Sequence, residues 1–199
     1  MRVIFFDKLI ELMRTDSSIF FLTGDTGFHL VEPIFEEFPD RSLNVGVAEQ
    51  NMIGIASGLV NAGFIPVCYA ITNFLIERCF EQIRNDICLH EYKVILVGTS
   101  TGYDNGQLGA THHKLDDIAA VKSLPNINIY SPSGSHSMLL VTKEAFRSAN
   151  ASFIRISKPK WNEKESKYDD PIFYYTSNWS CRKPQAVSYT HLRAHETLM

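Results

Sequence analysis

At 199 residues, with 45% hydrophobic and 21% charged side chains, the chain has the composition of a folded domain and not of a disordered segment. A formal net charge of −3, with no basic stripe and interleaved aromatics, argues against nucleic acid or an anionic membrane as a partner. The longest apolar runs, at 94–97 and 138–141, are too short to cross a bilayer. Cys68, Cys79, Cys88 and Cys181 form neither a CxxC pair nor a metal-ligand spacing, as expected of reduced, structural thiols in a cytoplasmic protein.

In chain order, the opening "MRVIFFDKLIELMR" carries Asp7, Lys8 and Glu11 at helical spacing and no small-residue cleavage site follows. It is read as an amphipathic helix and not as a leader. Short runs rich in β-branched and aromatic residues then recur at 19–22, 43–45, 65–69, 94–97, 127–130 and 153–156. Their length suits buried parallel strands. Helical periodicity fills the gaps. Residues 48–61 place Met52, Ile55 and Leu59 on one face, and 74–89 do the same with Ile76, Phe80, Ile83 and Ile87. Residues 135–149 open on Ser and carry Met138, Val141, Ala145 and Ala149. This alternation predicts a doubly wound α/β domain, a mainly parallel sheet with helices on both faces. Gly24, Gly46, Gly98 and Gly102 are expected just after strands, at the carboxyl edge where open α/β sheets place their sites.

Beyond Lys158 the sequence turns polar, and 159–185 reads as a linker toward a further domain, in which "IFYYTSNWSC" could begin another strand. Residues 186–199 contain "SYTHLRAHET", which looks like translated sequencing-adapter read-through and is expected to be a non-native tail on a fragment, against the ordinary alternative of a disordered C-terminus. His191 and His195 stand four apart there, with no Cys or carboxylate to complete a metal set.

The richest segment is "NVGVAEQNMIGIASGLVNAG" at 44–63. A short strand leads into a helix whose first turn holds Glu49, a position that the helix dipole alone would favour. Gly54, Ser57, Gly58 and Gly63 are poor helix formers and suit a helix against which another backbone or a ligand packs.

Together with "TGD" at 23–25, "NFLIERCFEQIRND", "GATHHKLDDIA", "LPNINIYSPS" and "FIRISK", in that order, this string resembles the pyrimidine-binding domain of transketolases in their separate-subunit form. The resemblance covers roughly residues 1–158. "AEQN" sets the chain apart from related dehydrogenase β-subunits, which usually lack it, and from deoxyxylulose-phosphate synthases, which usually read "AEQH". Such enzymes use thiamine diphosphate. The resemblance implies that Glu49 is the carboxyl sharing a proton with N1′ of the cofactor pyrimidine, in a poorly solvated site that strengthens the interaction. Phe74 matches the aromatic that stacks on that ring, and would otherwise be an ordinary core Phe. The aromatics that often flank the stacker are replaced by Ile71 and Glu77.

His112 matches a histidine that meets the ketol part of the substrate, with His113 beside it; a cap or surface role is the alternative for both. Asp25 matches an acidic residue near the cofactor, although "GD" after a strand is also a common turn. Lys158 stands where full-length transketolases carry a phosphate-binding Arg, and offers charge without the guanidinium fork. Ser100 and Leu108 replace a histidine and a hydroxyl-reading aspartate, which puts the usual pentose phosphates in doubt.

Nothing in the sequence resembles the half of such enzymes that binds the diphosphate and magnesium. The implied protein is therefore one half of a ketol transferase, completed by a diphosphate-binding partner chain and acting on a sugar or sugar phosphate. Its rivals are another thiamine-diphosphate enzyme, such as a deoxyxylulose-phosphate synthase, and a non-catalytic subunit that keeps the fold.

Overall fold

The computed structural model describes residues 1–157 and 172–176. Six parallel strands form the body of the sheet: β1 (Ile19–Thr23), β2 (Ser42–Asn44), β3 (Ile65–Ile71), β4 (Ile95–Thr99), β5 (Ile127–Pro132) and β6 (Ala151–Ile156). Each coincides with a predicted strand to within a few residues, and the spatial order is β2-β1-β3-β4-β6-β5. A seventh strand, β7 (Ile172–Thr176), adds antiparallel to β5. The sheet thus takes in part of the stretch read as a linker. Lys158, Cys181, His191, His195 and the tail 186–199 lie outside the described residues.

Both faces are covered because alternate strand residues point to opposite sides. Helices α1 (Arg2–Thr15), α2 (Glu32–Glu37) and α6 (Ser135–Arg147) pack with Phe21, Val67, Tyr69, Ile95, Val97 and Ile154. The other face joins Leu22, Cys68, Leu96 and Phe153 to α3 (Glu49–Asn61), the 73–88 segment and α5 (Asp117–Lys122). Burial pushes the Cys79 and Cys88 thiols up to about 12, and raises Cys68 as well, so all three stay protonated and unreactive. Among the described residues no helix is long and apolar enough to cross a membrane.

Two expectations need correction. The helix expected over 74–89 is broken into a π-helical turn (Asn73–Glu77), a short α4 (Phe80–Gln82) and a second π-helical turn (Ile83–Cys88). Five-residue bonds from Arg78 N to Asn73 O and from Leu89 N to Arg84 O mark the wider turns. Apolar spacing cannot reveal this, since one extra residue per turn still keeps Ile76, Ile83 and Ile87 buried. Gly98 lies inside β4, not after it; a Cβ there would stand 2.6 Å from the Thr72 hydroxyl and 2.9 Å from the Phe153 ring. Gly54 and Gly58 have nothing within 4 Å of an added Cβ, so no described backbone of this chain exploits their smallness.

Candidate functional site

β1 and β3 are neighbours, yet the chain leaves them in opposite directions and to opposite faces, through α2 from β1 and through the 73–88 segment from β3. That divergence marks a topological switch point at the carboxyl edge, the place where doubly wound sheets bind ligands. Strand register sets Thr23 beside Asn44 and Tyr69, and Ile71 beside Thr99, toward that edge. Gly24, Glu49, Phe74 and His112 all follow these strands in the chain.

Glu49 begins α3 and is only 2% exposed, and the fully buried stripe of that helix runs Glu49, Met52, Ile53, Ala56. A carboxylate in the stripe that buries a helix needs a partner. Arg78 provides it: its Nη1 donates to Glu49 Oε2 at 2.5 Å, while the same guanidinium lies 4.4 Å from the centroid of the Phe74 ring. The neighbouring Gln50 fixes the other end of Arg78, donating through Nε2 to its backbone carbonyl at 2.9 Å. On the opposite side Gly24 leaves room for the acid, since a Cβ there would sit 3.1 Å from Glu49 Cγ and 3.5 Å from Oε1.

The His112 ring meets Phe74 edge-to-face, with centroids 5.3 Å apart. Its loop is held closely. Gly102 and Lys114 exchange two backbone hydrogen bonds at its base. The carboxamide of Asn73, 5% exposed, donates to the carbonyls of Thr111 and His113, one on each side of His112. Lys114 is fully buried and pairs with Glu77 and with Asp116, the latter at 2.6 Å. The residue matched to a flanking aromatic is therefore one arm of an ion pair that anchors the histidine loop.

The other expected residues stand further out. His113 turns instead to Gly106 O and to the Tyr103 ring. Asp25 is exposed at φ 53, and its carboxylate accepts from Asn44 Nδ2 at 3.0 Å; its chain neighbour Gly24 is what adjoins Glu49. Leu108 is 59% exposed on the same loop as His112, whereas Ser100 is buried in a left-handed backbone conformation at φ 62. Among the described residues no three His, Cys, Asp or Glu gather to hold a metal ion. Arg78, Asn73 and Lys114 are neighbours of the candidate site that the sequence does not advertise. Arg78 resembles any solvent-facing residue one helical turn after Phe74, and only the opposite charges of Glu77 and Lys114 hint at the loop anchor.

A buried acid and an aromatic ring at the switch point of a parallel sheet, with a histidine loop braced beside them, define an α/β domain whose candidate site residues gather at its carboxyl edge. The chain belongs to the family of transketolase pyrimidine-binding domains, whose model, "Transketolase, pyrimidine binding domain", matches residues 1–163. It is 36% identical over 126 residues to one subunit of the apulose-4-phosphate transketolase of Actinobacillus succinogenes, covering 63% of this chain and 40% of that one. It is also 32% identical over 133 residues to the 1-deoxy-D-xylulose-5-phosphate synthase of Syntrophus aciditrophicus, covering 65% and 20%. A solved structure titled "Split gene transketolase, inactive beta4 tetramer" superposes with a TM-score of 0.68 at 28% identity, covering 81% of this chain and 54% of that one. The chain spans about two fifths of the length of the Actinobacillus relative.

Proposed function

We propose that this chain supplies the pyrimidine half of a thiamine-diphosphate site in a cytoplasmic enzyme that moves a two-carbon ketol unit between sugars. One observation carries the proposal: the only acid in the buried stripe of α3 lies at the switch point, with an aromatic ring one guanidinium away. The residues present fit the cofactor's ring, which needs a carboxyl at one edge and an apolar platform on one face. Gly24 keeps clear the space beside the carboxyl that a side chain would fill.

When bound, thiamine diphosphate supplies at C2 of its thiazolium a nucleophile that no side chain provides. Glu49 holds a proton shared with N1′, and burial strengthens that interaction. Phe74 orients the ring. His112 exchanges a proton with a sugar hydroxyl, braced by the Asn73 carboxamide behind its loop. Asp25 and His113 line the approach, and Lys158 offers charge to a substrate phosphate. Diphosphate and magnesium fall to a partner chain, in keeping with a relative that is named as one subunit of a transketolase and a split-gene relative whose beta4 tetramer is described as inactive. The substrate is a sugar or sugar phosphate, and with Leu108 in place of a hydroxyl-reading acid it is not the usual pentose phosphate.

Calorimetry tests the half-site. The chain alone should bind thiamine diphosphate weakly or not at all, and tightly with magnesium once joined to a diphosphate-binding partner. Tight, magnesium-dependent binding by the chain alone would refute it.

A further inference from the structure

We infer that Arg78 is the positioning residue of this site, setting Glu49 and Phe74 relative to each other so that one carboxylate oxygen remains for the ligand. The inference rests on the pyrimidine reading proposed above.

Three contacts converge on this residue. Its backbone is held by Gln50, and its guanidinium both donates to Glu49 and lies over Phe74. A guanidinium is planar and delocalised, so it can stack on an aromatic face while donating in its own plane. Lysine, a point charge on a flexible stem, cannot do both. The bond to Glu49 is single and uses Oε2, so Oε1 is not part of the pair. Gly24 keeps open the space next to Oε1, where an added Cβ would stand 3.5 Å away. The carboxylate is thus held by Arg78 on one oxygen, while the space beside the other stays open.

Phe74 and Arg78, four residues apart, lie on one side of the π-helical turn. Its wider winding places Arg78's backbone N–H on Asn73 O, so the residue that clamps the His112 loop also sets the start of the turn that carries Arg78. Acid, ring and histidine loop are then positioned by one short segment.

The test compares two ligands in the enzyme assembled with its diphosphate-binding partner. One is thiamine diphosphate with magnesium, and the other is its 1′-deaza analogue, in which C–H replaces N1′. Arg78→Met should weaken binding of thiamine diphosphate about tenfold, the scale of one well-placed hydrogen bond, and leave the analogue within about twofold. Arg78→Lys should fall between wild type and Arg78→Met. The Arg78 side chain is 40% exposed, so both variants should fold. Equal losses for both ligands would mean that Arg78 does not act through the Glu49 carboxylate, and unchanged binding of both would mean that it sets nothing; either overturns the inference. If wild type binds the two ligands equally, the Glu49–N1′ interaction itself is wrong, a failure separable from that of Arg78.

Discussion

Gly24→Ala isolates the role of the space beside Glu49. The backbone at Gly24 is not left-handed, so the substitution adds no conformational strain, only a methyl group. That methyl would stand 3.1 Å from Glu49 Cγ, about 0.3 Å inside ordinary contact distance. The carboxylate cannot yield freely, because Arg78 holds it at 2.5 Å on the other side. Overpacking of this size costs about 1 kcal/mol of stability, at the low end of the 1–3 kcal/mol typical of cores. The functional loss should be larger in proportion. A shift of a few tenths of an ångström misaligns the acid from its ligand, and binding of thiamine diphosphate by the assembled enzyme should weaken about tenfold. Gly54→Ala is the control for stability. Its Cβ meets nothing, and alanine should stabilise α3 of the isolated chain by about 0.5–1 kcal/mol. Urea denaturation and calorimetry read the two quantities separately. If Gly24→Ala binds the cofactor within twofold of wild type, Gly24 does not shape the carboxylate pocket.

The ion pairs of Lys114 should respond asymmetrically. Lys114→Met leaves Glu77 and Asp116 free to turn to water and should cost about 1–2 kcal/mol, whereas Glu77→Gln with Asp116→Asn strands a buried ammonium and should cost about 3 kcal/mol or more, by chemical denaturation. Equal costs would contradict the burial of Lys114. Acid should destabilise the domain: hydrogen bonds from Ser18 hold Asp16 below its usual range, Lys114 does so for Asp116, and Arg14 for Glu37. Each carboxylate with a depressed folded pKa stabilises above the unfolded value and loses that contribution as pH falls through the folded one. Since these groups are partly or fully exposed, the decline should be gradual and weakened by salt; denaturation midpoints that stay flat from about pH 6 to about pH 3 would contradict it.

The sheet is legible in the sequence because buried parallel strands write themselves as short apolar runs between helical stretches, and all six lie where those runs fall. Glu49 is legible as a first-turn acid, and its burial follows from the motif around it. The segment after β3 is not. A π-helical turn keeps the same residues inside as an α-helix does, so Arg78 looks like a solvent-facing side chain when it is bonded to the acid and stacked on the ring. Asn73 and Lys114 are hidden for a related reason. The partners of Asn73, and Glu77 as partner of Lys114, lie 37 to 40 residues away in the chain and meet them only once the loop after β4 folds back. The strand β7 is only half visible, because a strand at the sheet's edge inside a polar stretch carries no alternating pattern long enough to commit to.

The central claim is that Glu49 activates thiamine diphosphate, and exchange of the cofactor's C2 proton for deuterium tests it most directly. In the enzyme assembled with its partner, Glu49→Gln should remain folded and still bind the cofactor, while C2 exchange followed by NMR slows at least ~100-fold, within the range attributed to positioned acid–base groups. Exchange near the wild-type rate would contradict the account.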